Sequence, residues 1–305
     1  MSRFTDDADT SEIGTPQRAS GNCFVVDIRV SLKRWLIKTS RNPFVTFSSL
    51  VQPIIFFVLM AEVFGSIAGG TLSQTLGDEI NYVTYLTPAI VIQSALAAAA
   101  VSGIGLVDDI ETGMFEKILV SPMNRGAMFL GKVLSEVVRI AIQTVIILVL
   151  GYAMLFLQSA ASVETYLQTG AIGAIGIIGI AVIFGGVFMA YSNIVALVTR
   201  DREATIMIAN LLTFPLLFVS SAFLPLSVLP GWIRTFAVFN PITYGVDSIR
   251  SLMLGQDTLS VLHVTVFSGF WDAVIPSLIV LLGANVALGG IAVRLLTRAS
   301  RADVQ

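Results

Sequence analysis

The sequence predicts an all-α integral membrane protein. Six transmembrane helices are expected, with an N-terminal amphipathic interface helix, a short cytoplasmic helix and broken helices in the outer leaflet. Three observations carry this. Of 305 residues, 55% are hydrophobic and only 12% charged, with a mean hydropathy of +0.85; soluble domains carry roughly 25% charged residues. Six stretches reach the length of about 20 mostly apolar residues that crosses a bilayer. Arg and Lys alternate between the connections as they do across a membrane.

In chain order, residues 1–22 are polar and acidic and lack the basic-then-apolar order of a signal peptide, so a disordered cytoplasmic tail is expected. Residues 24–41 carry Val25, Ile28, Leu32 and Trp35 or Leu36 at helical spacing, with Asp27, Arg29, Lys33, Arg34 and Lys38 mainly opposite. Such a basic amphipathic helix belongs in the interface plane. The expected spans are 44–64, 82–107, about 133–157, 170–198, about 205–226 and 273–296. A transmembrane domain over 23–298 and a tail over 299–305 follow.

Orientation comes from the connections. Arg3, Arg18, Arg29, Lys33, Arg34, Lys38 and Arg41 precede the first span, whereas 65–81 and 158–169 have no Arg or Lys. The 108–132 loop has Lys117, Arg125 and Lys132, and Arg200 and Arg202 follow the fourth span. Only Arg234 and Arg250 occur in 227–272, and Arg298 and Arg301 close the chain. Both termini are therefore expected in the cytoplasm of a multi-pass cell-membrane protein.

Within 108–132, Asp108 and Asp109 are expected to cap a helix start, with Met114, Phe115, Ile118 and Leu119 as its apolar face and Pro122 as its end. Exposed apolar surface on so short a helix points to docking. Later, Pro225, Pro230 and Pro241 break an apolar stretch into pieces too short to cross, so buried outer-leaflet helices are expected.

Gly126 to Lys132 spell G-x-x-x-x-G-K, but Val133 stands where a phosphate loop needs Ser or Thr, and no strand precedes it. Nucleotide binding in this chain is rejected on that context. Instead, Gly126 and Gly131 are read as allowing close approach, and Lys132 as snorkelling to the headgroups. Net charge is −2, which gives no basic signature for nucleic acid, and one Cys (Cys23) with one His (His263) cannot build a Cys/His metal cluster. No cofactor is assigned to this chain.

The motifs then resemble those of an ABC transporter permease of the exporter type, a six-span family handling drugs, polysaccharides and lipids. Glu111-x-Gly113, F-E-K-I-L-V-S-P at 115–122 and L-G-K at 130–132 form one set; Leu229-Pro230 and N-P-I-T-Y-G-V-D-S-I-R at 240–250 form the other. The resemblance runs from about 24 to 298. It implies two permeases working with two separate ATP-binding cassette ATPase subunits, with ATP and Mg bound in those partners; the second permease is expected as another copy of this chain, in a homodimer, or as a related permease. Residues Glu111, Gly113, Phe115, Glu116, Lys117, Leu119, Ser121 and Pro122 are then the expected ATPase-coupling residues. Asn240, Pro241, Tyr244, Asp247 and Arg250 are an outer motif read as a salt-bridged lock or an extracellular gate.

Polar residues inside spans are costly. Glu136 and Arg139 are three apart and expected to pair, as are Asp247 and Arg250. Gln52, Gln93, Asn193, Asn210 and Asn285 are expected to hydrogen-bond between helices; Gln52 and Gln93, near Pro53 and Pro88, are also candidate pathway residues. An ATP-independent secondary transporter or channel would carry membrane-buried carboxylates or internal repeats. An intramembrane enzyme would need a nucleophile with its base. Neither pattern is present.

Overall fold

A computed structural model describes residues 24–41, 43–76, 81–114, 125–224, 226, 229–255 and 269–302. Among the described residues the secondary structure is helical, in ten helices. These are α1 (Phe24–Arg41), α2 (Pro43–Leu76), α3 (Tyr82–Glu111), α4 (Arg125–Ser159), α5 (Val163–Tyr166), α6 (Gly170–Thr199), α7 (Arg202–Phe218), α8 (Gly231–Ala237), α9 (Pro241–Leu254) and α10 (Trp271–Ala302). Five are long and apolar enough to span a membrane, over Phe47–Gly65, Tyr82–Glu111, Gly126–Ser159, Gly170–Thr199 and Trp271–Leu295.

The fifth expected span, about 205–226, is a helix of 17 residues. At 1.5 Å per residue it reaches about 26 Å, short of the roughly 30 Å hydrocarbon core. Val219 ends it, and the chain continues through bends to Leu224. Two other boundaries move outward. No proline stops α2 after Pro53, so it runs to Leu76 through part of the expected loop 65–81. The third span starts as α4 at Arg125, earlier than the expected 133, so the G-x-x-x-x-G-K stretch lies within this helix.

The core forms around α3, which packs against α2, α4, α6, α7 and α9. Its apolar stretch is 72% buried, against 22% for α2 and 17% for α10. Tyr85, Leu86, Ile90 and Ile92 of α3 meet Ile140 and Ile147 of α4, Ile177 and Phe184 of α6, and Ile242 and Ile249 of α9. A smaller cluster, Leu106, Val107, Met128, Ala196 and Leu197, closes the bundle where α3 and α6 end and α4 begins. Short helices are present around Pro230 and Pro241, as expected: seven-residue α8, then α9, opened by Asn240 with Pro241 in its first turn. Four-residue α5, capped by Ser162, was not legible from the sequence. Its Tyr166 donates to Thr87 Oγ1 (3.2 Å), fixing the 160–169 connection to α3, and burial pushes the phenol well above its usual pKa.

Candidate coupling site and outer motif

The expected helix start at Asp108 and Asp109 is corrected by the structure. Both lie in the last turn of α3, which ends at Glu111 with Thr112 as its C-cap. A carboxylate there opposes the helix dipole, and cations from elsewhere offset it. Arg34 and Lys38 of α1 both bind Asp109, at 2.9 and 2.7 Å, and Arg202 of α7 reaches Asp108 at 3.4 Å. Gly113 then takes φ +65, a left-handed turn that suits glycine. Glu111 and Met114 are exposed beside it. Phe115, Glu116, Lys117, Leu119, Ser121 and Pro122 lie outside the described residues.

The interface helix turns a largely polar stripe to the protein. Asp27, Ser31 and Trp35, at four-residue spacing, are its buried stripe, while Val25, Val26, Val30, Leu36 and Ile37 stay exposed. The reason is the partner surface. Helix α1 lies along the start of α4, where Gly131 presents bare backbone: a Cβ there would meet Ser31 Oγ at 2.6 Å and Leu32 N at 2.8 Å. Ser31 donates to Met128 O at 2.8 Å across this contact. The apolar residues are left for lipid, which fits an interfacial helix.

Lys132 does not snorkel. It is 4% exposed, and its Nζ donates to Ser102 O (2.9 Å) of α3 and Asn193 Oδ1 (2.6 Å) of α6. The Trp35 ring faces this group at 5.3 Å and also carries Lys38 and Arg34 at 4.8 and 5.0 Å. One ammonium therefore joins α3, α4 and α6 under the indole of α1. Sequence reading missed this because the cation and its acceptor are 61 residues apart. The Glu136–Arg139 pair forms as expected, and Arg139 also donates to Ala98 O of α3. A cavity of about 100 Å³ is lined by Trp35, Lys38, Asp108, Glu136, Arg139 and Arg202.

The outer motif closes on itself. Asn240 Oδ1 accepts from Ile242 N at 3.0 Å, and its amide donates to Leu216 O (2.5 Å) and Val219 O (2.6 Å). One side chain thus caps the start of α9 and the end of α7. Tyr244 donates to Val238 O at 2.5 Å. Burial and the nearby Asp247 charge raise its pKa, keeping the phenol a donor. Asp247 accepts from Ser221 Oγ at 2.7 Å and from Arg250 at 3.5 Å. Arg250 also donates to Ser221 O at 3.0 Å and stacks 4.1 Å over Tyr85 of α3. Both charges are nearly fully buried.

The pathway candidates separate: Gln93 is buried within α3, whereas Gln52 is exposed on α2. Asn285 makes the expected interhelical bond, to Ile183 O at 2.7 Å. Asn210 is exposed.

The chain matches the ABC-2 type transporter family model over residues 26–254. Among similar proteins is ycf38 of Cyanophora paradoxa, named as a transport permease, 27% identical over 230 residues, 75% of this chain and 74% of the relative. The daunorubicin resistance ABC transporter permease protein DrrB1 of Streptomyces coeruleorubidus is 22% identical over 73% of this chain and 69% of its own. A protein named for doxorubicin resistance, the ABC transporter permease DrrC of Mycobacterium tuberculosis, is 24% identical over 78% and 80%. With the helical bundle, its apolar spans and a family match over most of its length, this chain belongs to the ABC-2 type transporters, as a membrane-embedded permease subunit.

Proposed function

We propose that the chain is the permease of an ATP-driven exporter in the cell membrane. Two copies work with two separate ATP-binding cassette ATPases, which bind ATP and Mg, and both termini face those subunits in the cytoplasm. The segment from Glu111 to Pro122 docks on the ATPase. Nucleotide-driven closure moves it, and the spans alternate between inward and outward openings. Asn240, Pro241, Tyr244, Asp247 and Arg250 hold the outer side closed until then. Gln52 and Gln93 lie along the substrate pathway.

The observation that carries this reading is the clamp at the exit of α3. Arg34, Lys38 and Asp109 fix α1 to the last turn before the docking segment. Lys132 extends that attachment to α4 and α6. A push on the loop therefore reaches several helices at once. The lightly buried faces of α2 and α10 support the second copy, since they leave apolar surface for lipid and a partner. Reconstitution in proteoliposomes tests it. Export of a panel of amphiphilic drugs and lipid-linked glycans should require the cognate ATPase and ATP; transport by the permease alone overturns the proposal.

A further inference from the structure

We propose that the polar cavity between α1, α3, α4 and α7 binds one phosphate group, carried by a phospholipid headgroup at the membrane surface or by a small soluble phosphate. The cavity measures about 100 Å³. That is room for one phosphate-sized group and too little for a drug-sized compound, whose sites run to roughly 300–1,000 Å³. Lys38, Arg139 and Arg202 line it with Asp108 and Glu136, and Trp35 forms part of the wall.

Charge selects the occupant. Around the cavity, five cations meet three carboxylates. Arg34 and Lys38 share Asp109, Arg202 has Asp108, and Arg139 has Glu136. The fifth cation, Lys132, donates to the neutral acceptors Ser102 O and Asn193 Oδ1. Asp201 and Glu203, which flank Arg202, do not line the cavity, and Asp201 caps α7, accepting from Ala204 N at 2.7 Å. The cluster thus carries two more positive charges than negative ones. Charge held away from bulk water calls for a partner, and Lys and Arg converging from several helices at a membrane edge suit a phosphate.

The cations that would hold it are within a ligand's reach. The side chains of Lys38 and Arg202 are 35% and 52% exposed, and they come from different helices, α1 and α7. Lys38 shares its carboxylate with Arg34, and the contact of Arg202 with Asp108 is long, at 3.4 Å. An ammonium carries three donors and a guanidinium five, so both keep donors for a ligand. Arg139 meets Glu136 and Ala98 O through Nη2 alone. A phosphate shared by Lys38 and Arg202 ties α7 to the clamp at Asp109. The inference depends neither on the transported compound nor on the direction of transport.

Thermal unfolding of the full-length, delipidated chain in detergent tests it. Inorganic phosphate, or phosphatidylglycerol in mixed micelles, should raise the midpoint saturably. Sodium chloride at matched ionic strength and phosphatidylcholine should not. Of the three tryptophans, Trp232 and Trp271 are exposed. With both replaced by Phe, the emission of Trp35 should shift over the same concentration range. Arg202→Gln should weaken the response about tenfold, as for one lost charge-assisted hydrogen bond. Lys33→Gln removes an exposed cation of α1 that does not line the cavity, and should leave the response unchanged. Thr39→Phe fills the cavity without altering a charge and should abolish it. A response to phosphatidylglycerol alone identifies a lipid headgroup, and one to inorganic phosphate identifies a soluble source; both bear the proposal out. No saturable response, an equal one to chloride or to both lipids, an unmoved Trp35, or equal weakening by Lys33→Gln and Arg202→Gln means water, diffuse surface charge or ordinary lipid, and overturns it. If Arg202→Gln or Thr39→Phe elutes misfolded, the Trp35 titration with phosphate against chloride decides.

Discussion

The two buried ion pairs, Glu136–Arg139 and Asp247–Arg250, share a three-residue spacing and differ in what surrounds them. The outer pair is balanced one to one, and Ser221, Tyr85 and the peptide backbone close it in. The inner pair opens onto two spaces, a polar cavity and an apolar cleft. It shares its neighbourhood with Lys132, Lys38 and Arg34, against Asp109 and Asp108. A sealed, balanced pair stabilises one arrangement of helices. An open cluster with several cations competing for few carboxylates can exchange partners, which a segment that transmits motion requires.

The largest effect that would sharpen this contrast is at Arg250. Arg250→Met strands Asp247 in a buried site and should destabilise the chain by about 3–5 kcal/mol, read from thermal unfolding in detergent. Adding Asp247→Asn should recover more than half, and a double variant as unstable as the single one would break the comparison. Next comes Gly131→Val, which drives a branched side chain into Ser31 and Leu32. A loss of about 1–3 kcal/mol is expected from overpacking, with hydrogen exchange rising in α1 before the rest of the bundle.

Lys132→Met should cost less stability, about 1–2 kcal/mol, because the main loss is the bond to Asn193. Its larger effect should be on coupling: more ATP hydrolysed per molecule exported when assayed with the ATPase. An unchanged ratio would make Lys132 a packing device like the outer pair. Asp109→Asn should be the mildest, below about 1 kcal/mol, since Arg34 and Lys38 are about a third exposed and solvent screens them. The stability gap between this variant and the unmodified chain should shrink further in high salt.

Much of this was legible in the chain. The 24–41 helix, most of the apolar spans, the short helices around Pro230 and Pro241 and both i,i+3 pairs follow from periodicity, proline positions and spacing, because all depend on residues close in sequence. Two readings failed for a common reason. Asp109 looked like a helix start, and Lys132 looked like a headgroup contact. Each depends on a surface contributed by a distant segment: Arg34 and Lys38 for the first, Ser102 and Asn193 for the second.

By itself the sequence determined that the chain lives in a membrane, where its long apolar helices run and that its phosphate-loop likeness lacks the Ser or Thr of a true one. Those are matters of local composition, since the bilayer demands continuous apolar helix whatever the neighbours are. Tertiary structure decided where the charges go. A buried Lys or Asp is tolerated only where partners converge on it, and convergence of residues 61 to 75 positions apart is a property of the packed bundle.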